Sequence, residues 1–591
     1  MASSLKNEQE PEKIGQSSTK RDLYVGTLIG ESTSKEFRLA VAHETIREQD
    51  IIAVDAELRR PNEDLTSEKI RVWAKVQRIE RLNPLFPIES GHELATTRTN
   101  PFDTVLSLSR EMVTAVCQTL GAEPLNGHSS GKLDHLRYPP MPASSAYRPD
   151  SEDIARVVLG ELQQRQKRAL DIATLSNRPE VDVKVDGHAI VTRHLAILAM
   201  TGAGKSWTAR RIIEQLAEKN YPIVIFDPHG DYTGLANVPE LKKRVRRYYA
   251  QFPIFEQNYE TVITVVESLG WKLANTHSSK FEGLFNGAKA FISVPTEELS
   301  QRAQWLSNYL EKDNIARYGL KRDLFFLADF VQALVKACKE EDTNAINQIV
   351  EWGGSKELKV NKQVAGWLEN LPNNLRMGAK RLKQMEDISK KVAQTSEALP
   401  IDRTQLVRYG GISIVALAGY IGEFQATIYS LVADALFSAR VSNDLKLPVL
   451  LLLEEAHNFA PASANTPAEQ NAITVTKQIA QEGRKFGVGL ILISQRPSRL
   501  DETTLSQCNS YIIMRLVNPA DQNYVRKVIE TLGEDEAHML PDLDVGEALL
   551  SGQLINFPVL VKIKEPKSKG EREEKDAFEA LEEAHSSNIT Q

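Results

Sequence analysis

Cysteine is scarce: Cys117, Cys338 and Cys508 are the only three in 591 residues. An odd number at such wide spacing fits neither a disulfide framework nor a zinc site, and it predicts a reducing, cytoplasmic setting. Long apolar runs are missing as well. No stretch approaches the ~20 consecutive apolar residues that a membrane-crossing helix requires, which excludes a membrane partner. The first 21 residues are polar and mixed in charge, without the apolar core of a signal peptide, so 1–21 reads as a disordered leader. An excess of positive charge is also absent. With 72 Lys and Arg against 79 Asp and Glu, the formal net charge is −7. That argues against a chain coating nucleic acid over its whole surface, but it leaves room for a confined basic channel such as the inside of a ring.

What is present is a soluble globular composition, 41% hydrophobic and 26% charged, over a length that suggests three to four compact units. Residues 22–149 read as a small β-barrel and its connector. Short β-rich runs at Leu23–Ile29, Phe37–Val41, Ile51–Val54 and Val72–Ile79 are followed by a helical segment around Leu106–Leu120 and a Pro- and Ser-rich stretch. Residues 150–236 hold the order strand, loop, helix, strand (His194–Ala199, Trp207–Lys219, Tyr221–Phe226) that marks a parallel βαβ unit. Residues 237–408 read as a mainly helical, charged insertion with one strand at Ala288–Val294. Strands return over 409–564 at Ile412–Leu417, Val449–Leu453, Val488–Ile493 and Tyr511–Met514, between helices, and predict a doubly wound α/β sheet. Residues 565–591 form a charged arm.

The strongest chemical signal is Ala199-Met200-Thr201-Gly202-Ala203-Gly204-Lys205-Ser206, a Walker A pattern with Ala in place of the first Gly. It follows an apolar strand and opens a helix, where unsatisfied N–H groups and the helix dipole favour a polyphosphate. Thr201 through Trp207 are therefore the expected ATP-binding segment. Lys205 reaches the β and γ oxygens, and the Ser206 hydroxyl meets Mg²⁺. Val449–Leu453 then delivers Glu454 and Glu455 to a strand end, as a Walker B does. Glu454 is assigned to the Mg²⁺ shell and Glu455 to orienting and deprotonating the attacking water.

Asp227, in Asp227-Pro228-His229-Gly230-Asp231-Tyr232, follows the strand taken to lie next to the P-loop. It is a candidate for the metal shell or the water; His229 is a candidate contact to the γ-phosphate or to an adjoining subunit, and Asp231 reads equally as a helix-capping or turn residue. Gln495, at the tip of Val488–Ile493, is the expected γ-phosphate sensor. A hydrolase working between subunits also needs a guanidinium from its neighbour. Arg484 is the preferred trans finger; Arg193 and Arg496 are alternatives.

Taken in order, Arg193-His194-Leu195-Ala196-Ile197-Leu198, the P-loop, the Asp227–Tyr232 segment, Glu454-Glu455-Ala456-His457-Asn458, Glu482-Gly483-Arg484-Lys485-Phe486-Gly487 and Ser494-Gln495-Arg496-Pro497 closely resemble the HerA family of the FtsK–HerA ATPases. The resemblance implies a RecA-like P-loop ATPase core behind an N-terminal HAS-type β-barrel, whose early strand matches Val25-Gly26-Thr27-Leu28-Ile29. It further implies a homohexamer with ATP sites between subunits, double-stranded DNA through the centre, and a nuclease partner of the NurA kind or a defence effector. The region 240–410 departs most from the family, so channel loops cannot be carried over.

Two basic runs in that region, Lys242-Lys243-Arg244-Val245-Arg246-Arg247 and Lys380-Arg381-Leu382-Lys383, are candidate DNA contacts or solvated helix faces. The expected function is an ATP-dependent DNA translocase or helicase working with a nuclease or effector in end processing or antiphage defence. The alternative is an ATP-regulated ring scaffold that assembles and activates an effector in bacterial immunity. A conjugative coupling ATPase is disfavoured by the lack of a membrane segment.

Overall fold

The computed structural model describes residues 23–41, 45–59, 67–82, 112–125, 131–160, 166–251, 254–269, 275–294, 296–310, 323–353 and 362–568, with residue 96 and six residues between 578 and 586. The expected leader, residues 1–21, lies outside them, as does most of the arm after 568. Two compact units result, Met1–His188 with Ser510–Val517 and Ile529–Lys564, and Ala189–Asn509 with Asn518–Val528 and Glu565–Gln591.

The first unit opens with a closed barrel. Its strands are β1 (Tyr24–Ile29), β2 (Glu36–Val41), β3 (Ile51–Arg59), β4 (Ser67–Leu82), β5 (Met112–Pro124) and β6 (Ser145–Tyr147), joined in the order β1-β2-β5-β4-β3-β6. Alternation decides the fold here: in β2, Phe37 and Leu39 point inward while Glu36, Arg38 and Ala40 are exposed. Val25, Leu28, Ile52, Val54, Val72, Val76 and Ala115 complete that interior. Gly26 is required because a Cβ there would collide with the Ala40 carbonyl of the paired strand.

Two sequence expectations change at this point. Of the helix expected around Leu106–Leu120, residues 106–111 lie outside the described residues, and 112–120 is strand β5. Its run of Val113, Ala115, Val116 and Cys117 buries both faces, which hides the period-2 signal. The Pro- and Ser-rich stretch is more than a connector, because β6 lies within it and closes the barrel by pairing with both β1 and β3.

An ion pair sits inside this unit. Lys75 Nζ lies 2.7 Å from Glu536 Oε1, with the residues 2% and 4% exposed. Removing one partner strands the other charge without water, so Glu536→Ala is expected to lower stability by about 3–5 kcal/mol, and Lys75→Met/Glu536→Leu by much less. Denaturant midpoints of the two variants check this; equal losses would mean that the charge is not the cause. The unit continues with β7 (Ala169–Leu175) and β8 (Asp182–Asp186), an antiparallel pair.

The second unit is built on a six-stranded parallel sheet of β9 (Leu195–Leu198), β10 (Ile223–Asp227), β11 (Val245–Tyr249), β12 (Ile412–Ala416), β13 (Val449–Leu453) and β14 (Val488–Ser494). The order is β11-β12-β10-β13-β14-β9. The residues of β10, β12, β13 and β14 are buried throughout, as continuous apolar runs in a doubly covered sheet must be.

The helix Pro467–Phe486 between β13 and β14 has both ends written in sequence. Thr466 and Glu469 form a capping box, and Gly487 takes φ +71° at the C-terminal end. Buried His194 fastens β9 to its neighbours: its Nε2 donates to the Ala480 carbonyl at 3.1 Å while Nδ1 accepts from Leu490 N at 3.0 Å. Burial holds its pKa down at about 4, so it stays neutral.

The basic run 242–247 is not a helix: Lys242–Arg244 lie in a turn and Val245–Arg247 begin β11. The helical region follows, with Tyr259–Ser268, Asn275–Ile292, Thr296–Tyr309, Leu324–Lys339, Thr343–Gly353, Lys362–Trp367 and Leu371–Ala393. The strand expected at Ala288–Val294 is instead the end of the Asn275–Ile292 helix. Phe281, Leu284, Phe285, Ala288, Phe291 and Ile292 are all buried, a helical spacing visible only over a window longer than seven residues.

Beyond β14 the chain returns to the first unit. There β15 (Ser510–Ile513), β16 (Glu547–Gly552) and β17 (Val559–Ile563) run antiparallel, and β17 pairs with β7. The run at Tyr511–Met514, expected to extend the alternating α/β pattern, is thus the start of an antiparallel ladder. Among the described residues, no helix is long and apolar enough to cross a membrane.

Candidate nucleotide-hydrolysis site

All of the following lies in the second unit, at the carboxyl edge of its parallel sheet. β9 ends in the loop 199–204. Gly202 and Gly204 adopt φ +79° and +106°, values that side chains resist, so the loop can curl with its N–H groups inward. Gly204 opens the Lys205–Glu218 helix, which buries Thr208, Ala209, Ile212, Ile213 and Leu216. Lys205 thereby stands in the first helical turn, where Ser206 and exposed Trp207 follow it.

The Lys205 ammonium pairs with Glu455 Oε1 and lies 3.5 Å from Glu454 Oε1. The two carboxylates expected from the end of β13 and the lysine expected from the P-loop are therefore in direct contact, although 249 and 250 residues separate them in sequence. Glu454 is fully buried, and its Oε2 accepts a hydrogen bond from the Tyr232 hydroxyl. Its Oε1 has no hydrogen-bond partner among the described residues.

Burial outweighs Lys205 and Tyr232 here and pushes the Glu454 carboxyl up to about 7. A carboxyl with a folded pKa above its unfolded one holds its proton preferentially in the folded state. Its contribution is complete below about 4.5 and is lost as pH rises through about 7. Nucleotide-free protein is thus expected to lose on the order of 3 kcal/mol over that window. Glu454→Gln, neutral throughout, should flatten the slope in denaturant midpoints measured against pH; an unchanged slope would assign it to another group.

Asp227 is placed differently from the expectation. β10 is three positions from β9, beside β13, so Asp227 neighbours Glu454 and not the P-loop. It is fully buried. Its Oδ1 accepts from His229, Gly230 and Asp231 N–H at 3.2, 2.7 and 3.1 Å, and its Oδ2 from Tyr232 N–H at 3.2 Å. Four amides thus hold the carboxylate, and the turn they form delivers Tyr232 to Glu454. His229, on this turn, is exposed.

Glu455 has φ +52°, an unusual backbone for a side chain with a Cβ. The His457 Nδ1 lies 3.3 Å from Glu455 Oε2 and 3.5 Å from Ser494 Oγ. Burial, with Arg496, Arg499 and Lys205 nearby, keeps His457 below its usual pKa against the pull of Glu455. Gln495, one residue past β14, accepts a hydrogen bond from the Thr201 hydroxyl, so the expected sensor touches the P-loop directly. Sequence reasoning quoted Tyr232 and His457 within their motifs but gave neither a role. The available signal was a hydroxyl and an imidazole placed just after strand-end carboxylates.

The arginines divide by sheet edge. Arg193 precedes β9 and Arg484 precedes β14, so both stand at the amino edge. The seven residues of β14 put Arg484 about 20 Å from Gln495. Exposed Arg496 stands at the carboxyl edge near His457. Within one subunit, then, Arg496 accompanies the site and Arg193 and Arg484 do not.

Residues 170–428 match the family model described as helicase HerA, central domain. Over 507 residues the chain is 30% identical to the probable DNA double-strand break repair helicase HerA of Methanocaldococcus jannaschii, covering 78% of this chain and 88% of that protein. It is 29% identical over 516 residues to a probable helicase of the same organism, covering 83% and 87%. Among solved structures it is similar to VirB4 of Thermoanaerobacter pseudethanolicus, at 14% identity and a TM-score of 0.40, covering 67% of this chain and 96% of that one.

Proposed function

This chain belongs to the HerA family, and from that premise we propose that it is an ATP-hydrolysing DNA translocase acting as a homohexameric ring. The observation that carries the reading is the contact of Lys205 with Glu454 and Glu455: one cation and two carboxylates converge where a triphosphate on the P-loop would end. In this reading Thr201 to Trp207 hold ATP, and Lys205 exchanges its carboxylate partners for phosphate oxygens. Ser206 and Glu454 are the residues that would hold Mg²⁺, which when bound neutralises phosphate charge. The fit rests on Glu454 Oε1, a buried oxygen without a hydrogen-bond donor.

Glu455 accepts the proton of the attacking water, and the His457 imidazole lies 3.3 Å from its second oxygen. Gln495, tied to Thr201, reports the γ-phosphate to β14. The partner is a nuclease of the NurA kind or another effector that receives the moved DNA. Phosphate release by the purified ring, measured with and without duplex DNA, tests the reading. Stimulation by DNA is expected, and a monomer without ATP affinity would end it.

A further inference from the structure

The parallel sheet of the second unit is polarised. Its carboxyl edge carries Asp227, Glu454 and Glu455, whereas every strand is entered at the amino edge from a lysine or arginine. Arg193 leads into β9, Lys219 into β10, Lys242 to Arg244 into β11, Arg408 into β12, Lys446 into β13, and Arg484 with Lys485 into β14. On a chain of net charge −7, that concentration is a local feature.

At the β10, β11 and β12 end the side chains gather into a patch. Arg408 Nη2 donates to the Arg244 carbonyl at 3.0 Å, and Gly410 N donates to the Asn220 carbonyl at 3.0 Å, so three turns are clasped together. Arg244 is consumed internally by Ala217 and Asn220. Lys219, Lys242, Lys243 and Arg246 remain exposed, and Tyr409 projects among them at 74% exposure. Burial, and after it the proximity of Arg246, hold the Arg408 guanidinium below its usual pKa against the pull of Tyr248 and Glu397. The carboxylates nearby do not cancel the charge of the patch. Glu218 and Glu240 face Lys567, at 3.4 and 3.9 Å, which leaves Glu397 toward Arg408.

We propose that this patch, centred on Lys242, Lys243, Arg246 and Tyr409, is a DNA-contact surface separate from the nucleotide site. Flexible cations beside an exposed aromatic ring grip phosphates without reading sequence and offer a face to an unpaired base. The amino edge divides by distance: β9 lies five strand spacings, about 24 Å, from β11, so its arginine is not part of this patch. The inference rests on the reading of the protein as a DNA motor and adds where the motor holds its track.

The test compares full-length wild type with Lys242→Glu/Lys243→Glu/Arg246→Glu and with Tyr409→Ala, using a short labelled duplex with a single-stranded overhang across a salt series. The triple variant is expected to bind at least ten-fold more weakly and to lower the slope of log affinity against log salt by about 2–3, with basal ATP turnover retained. Tyr409→Ala should lose affinity for the overhang alone. Should the triple variant misfold, Lys242→Gln/Lys243→Gln must show the same loss in smaller measure. Unchanged DNA affinity overturns the proposal, as does a change of oligomeric mass at unchanged affinity, which would make the patch a subunit contact. A wild type that ignores DNA overturns both this proposal and the motor reading, whereas a wild type that binds while the variants match it overturns this proposal only.

Discussion

Glu455→Gln is expected to bind ATP yet lose turnover by about 10²–10⁴-fold, the range associated with removing a positioned general base. Lys205→Ala is expected to lose turnover as far and binding as well. The asymmetry follows from the ion pair between Lys205 and Glu455. An amide at 455 cannot take the proton of the attacking water, but it also stops competing for the lysine, so the ammonium is freer to meet phosphate. Removing the lysine takes away the ammonium that stands against Glu454 and Glu455, so Glu455 then faces a triphosphate without its counter-charge, and like charges so placed repel. A fluorescent ATP analogue and a phosphate-release assay separate the two outcomes. Turnover by Glu455→Gln near the wild-type rate would mean that the base is elsewhere; normal analogue binding by Lys205→Ala would mean that the P-loop does not hold the phosphates.

The convergence of the loop lysine with the two strand-end carboxylates was legible because each of its signals is local. A P-loop needs glycines before a lysine at a helix start, and an apolar strand followed by two carboxylates marks its own end. The barrel was legible to the extent that its strands alternate, as β2 does, and obscured where they do not, as at β5. Residues whose meaning depends on strand order were not legible. Asp227 was placed near the phosphates because β10 follows the P-loop helix in sequence, but β13 and β14 insert between β9 and β10. The result is a structural carboxylate that organises its own turn, with Tyr232 carrying the contact to Glu454. Likewise the run 242–247 was readable as basic but not as an edge strand, since Val245, Tyr248 and Tyr249 supply too few apolar positions to fix a period.

Arg484→Ala is expected to abolish turnover while nucleotide still binds, with a loss in the 10³–10⁵-fold range of a guanidinium that meets the transition state. Sheet direction is what makes this a claim about a neighbour. Arg484 stands at the amino edge, beyond the whole length of β14 from the P-loop of its own subunit, so it can reach a γ-phosphate only on another. That geometry permits a test which a cis role fails. Co-assembled Lys205→Ala and Arg484→Ala subunits are each inactive alone. In a randomly mixed ring, roughly a quarter of interfaces pair an intact P-loop with an intact arginine, and activity should reappear in that proportion. A cis arginine would give no recovery at any mixing ratio, because every site would still lack one of its own parts. Arg496 supplies the contrast: it lies at the carboxyl edge beside His457, so Arg496→Ala mixed with Lys205→Ala should remain silent. Recovery with Arg496→Ala and silence with Arg484→Ala would exchange their roles.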